Sequence, residues 1–181
     1  PFTQIPANTN QMSVDENQVA YGVDPKPTAQ EEYQQAANDE QEKKDEVRQI
    51  ENELNGLKSK KEQAEKAKEE ACAKDPDSEA CRLAKITLGT YENQINAKEK
   101  DLEKLKKEYD DAVSESNKLK KEWLEKQKEE TNNAMNELIE QAQTVCAGNS
   151  SSQSCIELTK QINELSQKLS GIIAELDKLK E

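Results

Sequence analysis

Apolar residues recur along most of this chain at alternating steps of three and four, the period of an α-helix that packs along one seam. The first run passes through Tyr33, Ala36, Val47, Ile50, Leu54, Leu57, Ala64 and Ala71, with Glu40, Lys43, Lys61 and Lys68 between them, so eight of twelve seam positions are apolar. A second run, from Ala84 through Leu88, Ile95, Leu102, Leu105 and Tyr109 to Leu119 and Trp123, is apolar at ten of twelve. Its phase lapses across residues 126–133 and resumes at Met135, Leu138, Ala142 and Val145, which reads as a stutter or a local unwinding. The third run, Leu158, Ile162, Leu165, Leu169, Ile172, Leu176 and Leu179, is unbroken.

These runs predict three helices, over about 28–74, 77–145 and 152–181. Thr28 stands three residues before Glu31 as a capping box for the first. Residues 1–27 contain four of the five prolines and no helical period, and they read as an extended arm. Its Phe2, Ile5, Met12, Val14, Val19, Tyr21 and Val23 would let it lie along a helix; a disordered terminus is the alternative.

Both breaks between helices carry one device. Cys72 and Cys81 enclose AKDPDSEA, Cys146 and Cys155 enclose AGNSSSQS, and each insert holds turn-forming residues between helix formers. In an antiparallel hairpin, residues equidistant from the turn face each other, so each pair is placed to form a disulfide. A tetrathiolate zinc site is the rival, but it calls for two to four residues between cysteines and usually draws on histidine, of which there is none.

The expected fold is therefore all-α: an elongated antiparallel coiled-coil rod, its long central helix bearing one helix folded back from each end. Paired numbers sum to 153 about the first turn and 301 about the second. Leu57 then lies level with Asn96, Ile50 with Glu103 and Leu138 with Asn163. Tyr33 and Glu181 both fall level with Lys120, so the flanking helices should meet nose to tail beside Leu119 and Trp123. Tyr33, Leu119, Trp123, Leu176 and Leu179 form that expected junction, where Trp123 either plugs the gap or simply fills the seam.

Composition sharpens this picture. With 32% hydrophobic and 35% charged residues, the chain has too little apolar surface for a two-layer globule. A formal charge of −12 disfavours nucleic acid and suits cations or basic proteins. No apolar run approaches the roughly 20 residues that span a bilayer. Evenly paired cysteines fit an oxidising compartment. The chain begins at Pro1 rather than methionine, as a chain cut from a precursor would; a chosen boundary gives the same start.

Catalytic constellations are not found: there is no histidine, Gly-rich phosphate loop or G-x-S-x-G, and carboxylates on a rod are solvated. Neither an enzymatic role nor a tightly bound cofactor is expected. Asp75, Asp77 and Glu79 alternate like the opening of a calcium loop, without the glycine and closing glutamate of a high-affinity site. They stand as a low-affinity calcium site, with turn and N-cap roles as the competing account. Glu-rich faces such as Asp39 to Glu42 and Glu129 to Glu130 are alternative cation contacts between rods. Asn149-Ser150-Ser151 is a glycosylation sequon at a tip.

An acidic chain of this size with heptads, paired cysteines and a start without methionine resembles the trichocyst matrix, or granule lattice, proteins of ciliates, over residues 28–181. The resemblance implies a subunit that associates with itself or with homologous acidic coiled-coil chains in a lattice. That lattice would fill a dense-core secretory granule and expand when calcium enters. Two other classes compete: a secreted or surface binding module or adhesin using a tip loop or the arm, and a cytosolic scaffold.

Overall fold

The computed structural model describes residues 25–180. The arm residues up to 24 and Glu181, whose level with Lys120 was expected, lie outside the described residues. Three helices account for almost all of the rest: α1 (Ala29–Lys74), α2 (Glu79–Gly148) and α3 (Gln153–Lys178). At 1.5 Å per residue the 70 residues of α2 extend about 105 Å. Helices α1 and α3 each pack on α2, and no close backbone approach joins α1 to α3. The all-α rod read from the sequence is the fold, with boundaries moved by three residues or fewer.

Each helix begins behind a hydroxyl cap. Thr28 Oγ1 accepts the Glu31 N–H at 3.2 Å, Ser78 Oγ that of Cys81 at 3.0 Å, and Ser152 Oγ that of Cys155 at 3.2 Å. Such a cap satisfies one of the four orphan donors of a first turn and contributes about 1 kcal/mol. Pro76 sits in a break between helices, where its fixed φ and missing N–H cost nothing.

All twelve predicted seam positions of α1, all twelve from Ala84 to Trp123 in α2 and all seven of α3 are buried or half-buried. The register follows as well. Lys98 Nζ donates to Glu53 at 2.6 Å and Lys43 Nζ to Glu108 at 3.1 Å, while Lys58–Glu99 (3.7 Å) and Lys106–Glu51 (3.4 Å) lie on the other side of the seam. These pairs straddle the alignment set by Cys72 and Cys81. Lys120 Nζ stands 5.9 Å from the centre of the Tyr33 ring, at the level the alignment assigns to it.

Of the two readings of residues 126–133, a stutter or a local unwinding, the unwinding does not occur. Helix α2 runs unbroken through residues 126–133, and only its seam shifts. Buried positions Cys81, Leu88, Ile95 and Ser116 keep multiples of seven, whereas Leu124 follows Ser116 by eight and Thr131 follows Leu124 by seven. One extra residue rotates the seam by about 100° around a helix of 3.6 residues per turn. Met135, Leu138 and Ala142 are half-buried as read, but Val145, although it continues the spacing of seven from Thr131, is exposed, and Cys146, bonded to Cys155, turns inward instead.

Candidate functional site

The recesses among the described residues are open to the surface, and the distinctive chemistry lies at the two tips and at the junction. Both tips are closed by disulfides, Cys72–Cys81 with Cα atoms 4.7 Å apart and Cys146–Cys155 with Cα atoms 5.1 Å apart. Antiparallel helices bring these atoms together because each pair is equidistant from its turn. One cysteine of each pair is buried, Cys81 and Cys155, while Cys72 and Cys146 are half-buried.

The tips share more than cysteine spacing. Asp75 Oδ1 accepts the Asp77 N–H at 3.0 Å, and Asn149 Oδ1 accepts the Ser151 N–H at 3.0 Å. Ser78 N–H donates to the Asp75 carbonyl and Ser152 N–H to that of Asn149. The chain thus writes the same turn twice, Cys-Ala-x-Asp/Asn-x-x-Ser-x-x-Cys. An Asx side chain folds the turn, a serine caps the next helix, and the cysteine whose N–H meets that serine closes the loop. The sequence marks the cysteines, the turn residues of both inserts and helix starts at 77 and 152; the shared Asx-to-serine-to-cysteine offsets, visible in both inserts, are what the structure adds.

The structure does not gather Asp75, Asp77 and Glu79 into one group. Asp75 spends a carboxylate oxygen on its own turn, Glu79 forms a forked ion pair with Arg82, and the three carboxylates do not converge. The hydrogen bonds from Arg82 hold Glu79 below the usual carboxylate range. Among the described residues no group of three or more His, Cys, Asp or Glu side chains could hold a metal ion. Asn149 is exposed at the second tip, where it ends α2.

At the junction Tyr33, Trp123, Leu176 and Leu179 come together with two additions, Leu124 and Ile172. Tyr33 of α1 stacks on Trp123 with ring centroids 5.5 Å apart. Leu124, only 1% exposed, packs with Ile172 and Leu176 of α3, and Trp123 and Leu179 lie against that cluster. Leu119 lines a surface recess of about 600 Å³ together with Pro27, Glu31, Glu32, Gln35, Ala36, Asp39 and Glu115. Trp123 lines another of about 240 Å³ with Thr28, Ala29 and Gln30.

Trp123 and Leu124 are neighbours about 100° apart on α2; Trp123 stacks on Tyr33 of α1 and also lies against the α3 cluster, in which Leu124 is buried. By the paired numbering, Ala29 at the start of α1 and Lys178 at the end of α3 fall level with Leu124 and Trp123, so the two ends reach one height on α2 with no close backbone approach between them. The heptad phase passes over Leu124 because Trp123 satisfies it; the step of eight from buried Ser116 is what marks Leu124.

Charged pairs elsewhere are half-exposed. The hydrogen bond with Glu53 raises the Lys98 ammonium and holds Glu53 low, and the hydrogen bond to Glu108 raises Lys43. No helix among the described residues is long and apolar enough to cross a membrane. The two disulfides are consistent with an oxidising secretory or extracellular environment. Comparison with protein-family models, with curated proteins and with solved structures finds no match to this chain.

Proposed function

We propose that this chain is a structural subunit: an acidic, disulfide-closed rod that packs side by side with others into an ordered lattice in a secretory compartment, as in a trichocyst-like dense-core granule. The observation that carries this reading is the architecture itself. Three helices two abreast, stapled at both ends, leave long helix faces as the main surface on offer. A rod carrying a formal charge of −12 repels its neighbours until cations screen or bridge its carboxylates, so millimolar calcium is the natural control of such packing.

The test is X-ray scattering and diffraction of the oxidised chain with and without calcium. Ordered reflections whose spacing changes with calcium support the lattice, and a monomer at millimolar concentration under both conditions refutes it. A second reading is favoured by one observation: exposed Val145 and Ile156 flank Cys146–Cys155, an apolar pair at a rod tip. A tip-binding module would stay dilute and soluble until its partner is added, and Val145→Ser with Ile156→Ser would abolish capture without changing helicity.

A further inference from the structure

The side of α2 turned away from α1 and α3 has its charges sorted by sign. Lys100, Lys104, Lys107, Lys118 and Lys121 are all exposed there; Lys100 follows buried Ile95 by five residues, about 140° round the helix. Asp111 interrupts this row and Glu103 lies at its edge. Farther along the same side come Glu125, Glu129, Glu137 and Glu140, also exposed, with Lys126 among them and half-buried Lys128 beside Glu125 and Glu129; Glu140 follows buried Thr131 by nine residues, half a turn away.

Among the described residues these charges are almost unpaired within the chain. Only Lys104 has an ion-pair partner, Glu108 at 3.9 Å, and none of the four glutamates has one. The contrast is with the covered side of α2, where Lys98 and Lys106 each reach a carboxylate of α1.

We propose that this face binds a second copy of the chain, antiparallel, about a two-fold axis near the level of Trp123. The inference rests on the side-by-side assembly proposed above and names its first interface. In that alignment paired numbers sum to about 246. Glu140 and Glu137 then lie opposite Lys104 and Lys107, Glu129 opposite Lys118, and Glu125 opposite Lys121, and the symmetry makes every contact twice.

Other alignments use the face less well. Parallel chains in register set lysine on lysine. A parallel stagger of about 24 residues, or ~36 Å at 1.5 Å per residue, pairs one lysine row per interface and leaves the other unpaired. Because the whole chain is strongly acidic, association depends on a face where the sign is locally reversed.

The test has two arms on the oxidised, full chain. In sedimentation equilibrium at low salt, Lys104→Glu with Lys107→Glu, or Glu137→Lys with Glu140→Lys, weakens dimerisation by roughly tenfold or more, and all four together restore it. Unchanged circular dichroism establishes that each variant stays helical. In the second arm, spin labels at Asn117→Cys or Thr144→Cys report dimer geometry. The antiparallel pair separates the labels axially by ~18 Å at 117 and ~63 Å at 144, whereas the parallel stagger gives ~36 Å at both. Equal distances, or a four-fold variant no stronger than either half, overturn this interface. Rods that assemble and ignore every reversal sink this inference and leave lateral assembly standing; a wild-type chain that stays monomeric sinks both.

Discussion

Leu124→Ala should loosen one end of the molecule and leave the other intact. Leu124 is the most deeply buried leucine, and the last turns of α3 rest on it through Ile172 and Leu176. Deleting a buried leucine side chain to alanine costs about 2–5 kcal/mol, the upper values belonging to sites that cannot collapse. In a rod two helices thick the neighbours can move in, so the low end applies, about 2–3 kcal/mol. That free energy belongs to a local opening: α3 touches only α2, and in a quasi-linear array each interface is lost on its own. Native-state hydrogen exchange is the assay. Amides of residues 172–178 should exchange on the order of 100-fold faster, and those of residues 47–57 in α1 should not change. The converse substitution, Tyr33→Ala, removes the stack on Trp123 and should free the first turns of α1 while α3 stays protected. Equal loss of protection in both halves after Leu124→Ala, or loss confined to α1, would refute independent docking of the two helices on one shared helix.

Three further outcomes follow from the same geometry. Replacing Cys72 and Cys81 by serine opens a loop of about ten residues and should lower stability by about 2–3 kcal/mol in urea titrations, with reducing agent giving no further loss at that tip. Gly89→Ala and Gly171→Ala sit mid-helix with nothing within 4 Å of the new Cβ, so each should raise stability by about 0.5–1 kcal/mol; a lowered melting temperature would contradict this. The Glu53–Lys98 pair fixes the sign of a pH effect. Glu53 is held below its ordinary value of 4.5, so its contribution is present above that value and is lost as pH falls through the lowered one. Lys98 is raised above its ordinary 10.5, so its contribution is present below that value and is lost as pH rises through the raised one. Lys98→Met should make stability fall less steeply with acid below pH 4.5, read from thermal melts at several pH values.

Most of the fold was written in the heptads because a uniform helix turns spacing directly into burial. Even weak positions such as Lys43 and Lys61 proved half-buried: a lysine stem can lie on the seam while its ammonium reaches a flanking carboxylate. The shift at Leu124 was not legible in the same way. Trp123 fits the phase facing α1 and Leu124 the phase facing α3, and a pattern that asks only for apolar residues accepts either. The triad Asp75, Asp77 and Glu79 was incompletely legible for a different reason. Periodicity counts carboxylates, whereas a backbone N–H and Arg82 had already claimed two of them. The serine caps were visible as letters, but their link to the cysteines needs the turn geometry.

The two halves of the rod hold their partners by different physics. Helix α3 has Ile172 and Leu176 buried in 26 residues and no ion pair to α2, so apolar contact holds it. Helix α1 buries Ala36, Leu54 and Ala64 in 46 residues, a seam smooth enough that a slip of one heptad would cost little packing. Charges oppose the slip. Moving α2 by seven residues one way leaves Glu53 facing Leu105 and sets Lys58 on Lys106; moving it the other way leaves Glu53 facing Tyr91 and sets Glu51 on Glu99. Both slips lose the shortest interhelical pair and create a like-charged one. The half-exposed salt bridges of α1 thus contribute less to stability than to register, and with the disulfide at the turn they align a seam its side chains alone would leave free to slide.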